Sequence, residues 1–171
     1  MAQARGAEIL GEIIGYGLST DNHHLTQPNP SGVGPRRAME RALRSAGLAP
    51  DEIGYVNAHG TATRFNDAAE GKAIVELLGR VPVSSTKGMM GHSLGAAGAV
   101  EAVLTILALR QAFLPANINF HAPDSGLDLD IVANEVRPAT ATTALSNSFG
   151  FGGTNASIVI QARAMSRSTT V

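Results

Sequence analysis

The sequence predicts a layered α/β domain. Apolar strand-like runs alternate three times with longer helical patterns, and two further apolar runs joined by a glycine-rich loop end the series. Such alternation is typical of crossover connections that place helices on a sheet, with a hairpin at the end. At 171 residues, 44% hydrophobic and 16% charged, the chain has the size and composition of one globular domain.

Glycine, proline and polar caps mark the predicted elements. Pro35 suits the first turn of a helix that Gly47 ends, and Asp67 is expected to cap a helix that Gly79 ends. A third helix is predicted over residues 93–111. The predicted strands cover residues 7–16, 55–58, 81–84, 144–148 and 156–160, and residues 116–119 are expected to be extended.

Composition excludes several classes of protein. The net charge of -1 and the lack of basic runs argue against a nucleic-acid or acidic-lipid partner. The longest apolar stretch is too short for a membrane span, and we expect a cytoplasmic protein. Cysteine is absent, so the chain has no disulfide and no cysteine nucleophile. We expect residues 1–163 to form the domain and residues 164–171 a polar tail.

The third helix is apolar all round, which predicts that it lies inside the protein. Glu101 on this helix needs a cationic partner, because an unpaired buried carboxylate costs several kcal/mol. Lys87 is the nearest candidate in sequence. The positive end of the helix dipole would keep His92 neutral, so that it could donate a hydrogen bond to an oxyanion.

Residues 91–95 also fit the G-x-S-x-G pattern, in which Ser93 would be the nucleophile of an α/β-hydrolase. Two observations disfavour that interpretation. Residues 84–88 separate Ser93 from the nearest predicted strand, and Glu101 is the only acidic residue between Ser93 and the one later histidine, His121.

Two histidines follow successive predicted strands, where α/β sheets place ligand-binding loops: His59 and His92. Each has an ordinary alternative, since His59 could sit in a tight turn and His92 could cap a helix or pack in the core. Their spacing does not suit zinc, and His23 and His24 are expected to be an exposed loop pair.

Three stretches together resemble the C-terminal half of the β-ketoacyl-acyl carrier protein synthases, the condensing enzymes of fatty acid and polyketide synthesis. The stretches are residues 56–61 (VNAHGT), residues 84–98 (SSTKGMMGHSLGAAG) and residues 147–155 (NSFGFGGTN). The resemblance implies a thiolase-like fold: a layered α/β/α half with a mixed, mostly parallel, five-stranded sheet around a buried helix.

The resemblance also implies roles for individual residues. His59 and His92 would stabilise the enolate formed when a malonyl thioester loses carbon dioxide, and Lys87, paired with Glu101, would keep them in place. Further implied roles are pantetheine binding by Thr61 and Thr63, gating by Phe151, and a structural cation at Asn57, Glu70, Glu101, Ser146 and Asn147.

Two departures from the family pattern stand out. Arg64 replaces the proline that usually follows the second threonine, and the nucleophilic cysteine, which the family carries in its N-terminal half, is missing. We therefore expect a C-terminal half that is inactive in condensation alone. The implied partners are the N-terminal half, acyl carrier protein and, in the complete enzyme, a second copy. The implied phosphopantetheine arrives on the carrier, and no other cofactor is required. The alternative is a non-catalytic subunit like a chain length factor.

Overall fold

The computed structural model describes residues 1–123 and 126–163. Its helices are α1 (Val33–Ala46), α2 (Arg64–Leu78), α3 (Lys87–Met90) and α4 (Ala97–Arg110). Its strands are β1 (Gly11–Thr20), β2 (Val56–Asn57), β3 (Pro82–Ser84), β4 (Phe113–Leu114), β5 (Asp130–Ile131), β6 (Arg137–Pro138), β7 (Thr143–Gly150) and β8 (Thr154–Ala162). The predicted polar tail lies outside the described residues.

A six-stranded mixed sheet forms the centre, in the order β1-β8-β7-β2-β3-β5. The pairs from β7 to β5 are parallel, whereas β1-β8 and β8-β7 are antiparallel. β7 and β8 are joined by a short turn at Phe151–Gly153, in which Gly152 and Gly153 both have a positive φ. The carboxyl ends of β2 and β3 therefore lie side by side, which brings the segments after them together.

Helices cover the sheet on both faces. Met39 and Leu43 of α1 and Ile74 of α2 pack with Val56 and Leu145 on one face. On the other face the core contains Leu109 of α4 together with Tyr55, Leu114, Val132, Ala144 and Ile160. Neighbouring strand residues thus point into different cores, as strand geometry requires. The α/β/α layering expected from the sequence is confirmed.

Several details differ from the sequence-based expectations. The sheet has six strands and not five, because the two-residue strand β5, for which no strand was predicted, pairs with β3. β1 covers Gly11–Thr20 and not residues 7–16. α2 begins at Arg64, and Thr63 rather than Asp67 is its N-cap, with the Thr63 hydroxyl accepting from the Asn66 N–H.

α4 is not buried all round. Glu101 and Thr105 face the interior, but Leu107 is 37% exposed and Val103 is 56% exposed. The helix therefore presents an uncovered apolar side. In the described part of the chain, every helix is too short or too polar to cross a bilayer.

Candidate active site

The two histidines singled out in the sequence lie next to each other. Their ring centroids are 5.4 Å apart and the ring planes meet at 82°. His59 follows β2 and is buried, whereas His92 follows α3 and is exposed. The site therefore has one imidazole in the protein interior and one at the surface.

Glu70 on α2 holds the backbone of the His59 turn. Its carboxylate accepts hydrogen bonds from the N–H groups of His59 (2.8 Å) and Gly60 (2.9 Å) and from the side-chain amides of Asn66 (3.3 Å) and Asn147 (3.1 Å). Burial raises the pKa of Glu70, and these four donors oppose the rise. One carboxylate thus links α2, the turn and β7.

The turn that carries His59 requires a glycine at position 60. Its φ is +41°, and a Cβ at this position would lie 2.6 Å from the Cβ of Ser85. The Ser85 hydroxyl donates to the Gly60 carbonyl at 3.1 Å. The segment after β3 therefore packs directly on the turn that carries His59.

Lys87 and Glu101 form the ion pair expected from the sequence. Their side chains are 6% and 4% exposed, and Lys87 Nζ donates to Glu101 Oε1. Burial, the charge of Lys87 and the proximity of His92 together lower the pKa of His59 from 6.5 to about 3. His59 is therefore neutral over the whole physiological pH range.

One hydrogen bond shows which ring nitrogen of His92 acts as an acceptor. Its Nδ1 accepts from the Leu94 N–H at 3.2 Å, so the neutral ring carries its proton on Nε2. The imidazole thus caps the turn that leads into α4, as the ordinary interpretation predicted, and it still has an N–H to donate. Two adjacent imidazoles that can each donate an N–H are suited to stabilise an oxyanion.

The other residues for which the resemblance implied a role near the substrate are Thr61, Thr63 and Phe151. Thr61 and Thr63 lie between His59 and α2, with their hydroxyl oxygens 3.1 Å apart. Phe151 is 80% exposed. The phenylalanine whose ring contacts His59 is Phe149, and the two ring centroids are 5.7 Å apart. The resemblance implied a role for Phe151 only, and Phe149 was missed although it lies in the same F-G-F-G-G run.

Asp21 is a residue that the sequence reasoning missed. Its N–H donates to the Gly153 carbonyl at 2.8 Å, and its carboxylate accepts from the side-chain amide of Asn155 (2.8 Å) and from the Asn29 N–H (2.7 Å). The Gly152 N–H donates to the Leu25 carbonyl at 2.7 Å. The loop after β1 is therefore bonded to the turn that carries Phe151.

The five residues implied for a structural cation divide between the two faces of the sheet. Asn57 donates to the Ser146 hydroxyl on the α4 side, whereas Asn147 contacts Glu70 on the α1 and α2 side. Among the described residues, Asn57 Oδ1 and Glu101 Oε2 are buried without a hydrogen-bond partner. These free oxygens suit a cation. The cation site stays a prediction.

Ser93 does not have the setting of a hydrolase nucleophile. It follows α3 and precedes the 3-10 turn Leu94–Ala96, so no strand leads into it. His121, the only later histidine, lines a cavity of about 560 Å³ together with Gly60, Ser85 and Asn117, and Ser93 is not among the residues that line this cavity. The geometry does not bring Ser93 and His121 into a triad.

Comparison with known proteins decides the family. The family model described as "Beta-ketoacyl synthase, C-terminal domain" matches residues 10–121. The chain belongs to the β-ketoacyl synthase family. The 3-oxoacyl-[acyl-carrier-protein] synthase 2 of Coxiella burnetii is 48% identical over 163 residues, which cover 93% of this chain and 39% of that relative.

Solved ketosynthases share the fold. The ishigamide ketosynthase/chain length factor superposes with a TM-score of 0.89 at 39% identity, over 95% of this chain and 40% of that chain. A type II polyketide ketosynthase solved with its acyl-carrier protein gives a TM-score of 0.89 at 36% identity, over 95% and 41%. These matches confirm the thiolase-like fold expected for this synthase domain. The chain spans about two fifths of the length of these relatives.

Proposed function

We propose that this chain supplies the decarboxylating half of a β-ketoacyl-acyl carrier protein synthase active site. The observation that carries the proposal is the pair of adjacent imidazoles, His59 and His92, of which the buried His59 is neutral, beside the buried Lys87–Glu101 ion pair. The similarity to named 3-oxoacyl-[acyl-carrier-protein] synthases supports it. The nucleophilic cysteine comes from a segment outside this sequence, since the chain contains no cysteine.

In the proposed reaction the cysteine first accepts an acyl group as a thioester. A malonyl thioester then loses carbon dioxide, and the electron pair of the broken C–C bond moves onto the thioester oxygen. N–H donors of His59 and His92 stabilise the resulting enolate, because they face a charge that develops only during the reaction. The enolate carbon attacks the acyl thioester carbonyl, and the cysteine thiolate leaves.

The residues around the histidines serve this step in the proposal. Lys87 keeps its charge near His59 and so disfavours a cationic imidazole, while Glu101 compensates that charge inside the protein. The hydroxyls of Thr61 and Thr63 bind the pantetheine arm, and Phe151 gates its entry. The carrier protein delivers the arm, and no further cofactor is required. A cytoplasmic location and a homodimer of the complete enzyme belong to the same proposal.

The test uses the complete enzyme, meaning this chain together with the cysteine-bearing segment. His59→Ala and His92→Ala are each expected to slow carbon dioxide release from malonyl carrier protein by about 100-fold or more, because each removes an oxyanion donor. Acylation of the cysteine should stay within about threefold of wild type. His121→Ala is the matched control, since His121 lies outside the pair. Normal condensation by either active-site variant contradicts the proposal.

A second candidate is a non-catalytic subunit, because one solved neighbour is a ketosynthase/chain length factor. Such a subunit would shape the acyl tunnel without needing two adjacent imidazoles or a buried lysine beside them. The same assay discriminates the two. A non-catalytic subunit would tolerate His59→Ala and His92→Ala without loss of carbon dioxide release.

A further inference from the structure

The cavity of about 560 Å³ lies where β2 and β3 end, and the proposed reaction does not use it. α2 contributes Glu70, Gly71 and Ile74 to its wall. Among the described residues, none of those proposed to bind the enolate or the pantetheine arm belongs to the lining. Its volume is in the range of small-molecule sites, which measure roughly 300–1,000 Å³.

Aliphatic side chains from α2, β3 and the segment that ends in β5 form most of the wall. They are Ile74, Val83, Ile118, Leu127, Leu129 and Ile131. Gly71 lets this segment approach α2 closely, since a Cβ there would lie 2.7 Å from Leu127 Cδ1. These walls suit the apolar body of a ligand.

Main-chain hydrogen bonds hold one wall of the cavity, residues 117–120, in place. The Asn117 N–H donates to the Val132 carbonyl at 2.7 Å, and the Asn134 N–H donates to the Asn117 carbonyl at 3.2 Å. The Asn134 side chain also exchanges two hydrogen bonds with the backbone of Phe120, at 2.9 and 2.8 Å. The wall is thus already formed, which lowers the cost of ordering it around a ligand.

Asn117 supplies a hydrogen-bond donor to the lining. Its Oδ1 accepts from the Ser85 N–H at 3.2 Å, and this bond defines which end of the amide is the oxygen. In the part of the chain that the structure describes, the Asn117 side-chain nitrogen has no hydrogen-bond partner. An N–H of this amide is therefore available for an oxygen of a ligand.

The charges of the lining favour a neutral ligand. No lysine or arginine occurs among the described lining residues, and His121 is exposed, so an anion would lack a buried counter-charge. Two carboxylates, Asp67 and Glu70, disfavour an anion further. They are also engaged already: Glu70 accepts four hydrogen bonds, two on each oxygen, and Asp67 accepts from the Asn66 side-chain amide at 3.1 Å. A cation would therefore lose its hydration without gaining an unoccupied acceptor of opposite charge.

We propose that this cavity is a second ligand site, which takes a neutral aliphatic molecule with one oxygen acceptor, such as a medium-chain alcohol or ketone. The aliphatic chain is buried against the apolar walls, and the oxygen accepts from Asn117. Gly60 follows His59 and Gly88 follows Lys87, and both glycines line the cavity. An occupant therefore lies against the backbone of both segments that carry the candidate active site.

The test uses the complete enzyme, titrated with n-hexanol and followed by saturation-transfer NMR of the alcohol. Hexanoate and hexylammonium are the matched charged probes, because they carry the same aliphatic chain. We expect the Kd of hexanol to be lower than that of either charged probe by about 10-fold or more, since the charged groups lose hydration without a partner. Binding of either charged probe as tight as that of hexanol overturns the assigned ligand class.

Two variants of the lining test the location. Ile118→Trp fills the cavity, and we expect the Kd of hexanol to rise about 10-fold or more, because the space for its chain is lost. Asn117→Asp keeps the acceptor for the Ser85 N–H but removes the donor, so the Kd should rise about fivefold. Val136→Trp is the matched control, since Val136 is exposed and does not line the cavity.

Thermal unfolding followed by circular dichroism verifies that each variant is folded. An unchanged Kd of hexanol in folded Ile118→Trp and Asn117→Asp overturns the proposed site. Displacement of hexanol by pantetheine would also overturn it, because the cavity would then receive the pantetheine arm and not a second ligand. Condensing activity plays no part in these measurements, so their outcome is independent of the proposed function.

Discussion

The fold controls the charge of His59 strongly. Burial removes the water that would solvate an imidazolium, and the neighbouring Lys87 and His92 disfavour a further positive charge. The pKa of His59 falls to about 3 for these reasons. Glu101 completes the arrangement, because it allows Lys87 to stay charged inside the protein.

Removing one partner of the Lys87–Glu101 ion pair tests whether the pair is shielded from water. Lys87→Met leaves Glu101 as a buried, unpaired carboxylate, and we expect the free energy of unfolding to fall by about 3–5 kcal/mol. Urea unfolding at neutral pH measures the loss. The double variant Lys87→Met/Glu101→Leu should unfold close to the wild-type midpoint, because two apolar side chains replace the pair. If Lys87→Met were as stable as wild type, the ion pair would have to be exposed to water in the wild-type protein.

Local sequence was sufficient to predict the Lys87–Glu101 ion pair and to single out the two histidines that the structure places side by side. A carboxylate on an otherwise apolar helix requires a positively charged partner, and this requirement identified Lys87 as the partner of Glu101. The contributions of Glu70, Phe149 and Asp21 depend on contacts between distant segments: Glu70 accepts from Asn147 across 77 positions, and Asp21 from Asn155 across 134. No spacing rule within one element reveals such pairs.

At the scale of elements, the packing of α1 on β1 depends on glycine. A Cβ at Gly17 would meet backbone atoms of α1, namely the Ala38 oxygen at 2.0 Å and the Ala42 nitrogen at 2.5 Å. Backbone atoms of a packed helix cannot move aside without shifting the helix. β1 therefore sets the position of α1.

Gly17→Ala is expected to destabilise the protein by about 3 kcal/mol, because it overpacks this contact. Thermal unfolding followed by circular dichroism measures the change. Gly95→Ala is the matched control: a Cβ there would have no neighbour within 4 Å, so its effect should stay within about 0.5 kcal/mol of wild type. Equal stability of the two variants would show that α1 does not lie as close to β1 as described.

The elements that the sequence failed to predict are short or depend on distant partners. β4, β5 and β6 are two residues each and exist through pairing rather than through their own propensity. β1 extends past its predicted end because β8 pairs with it as far as Thr20. The longer helices were predicted well, since their apolar periodicity and glycine ends are local signals.

At the scale of the whole molecule, the described residues form a sheet with helices on both faces and leave an exposed apolar region near the histidine pair. Near the histidine pair the exposed side chains include Met89, Met90, Leu94 and Phe151. Val103 of α4 is exposed as well. Under the proposed function, the cysteine-bearing segment has to reach His92, and this region is the surface that it would meet. The apolar sequence of α4 could not distinguish burial within the domain from burial by a second segment.

The central claim is that His59 and His92 form a pair in which the buried imidazole is neutral and available as a donor. The most direct measurement is a pH titration of the histidine ring nitrogens by ¹H–¹⁵N NMR, with His59 assigned from the spectrum of His59→Gln. We predict that His59 stays neutral as the pH is lowered from 8 to 5, because its pKa lies at about 3. A His59 that gains its proton with a midpoint near 6.5 would contradict the buried, lysine-flanked site on which the proposed chemistry depends.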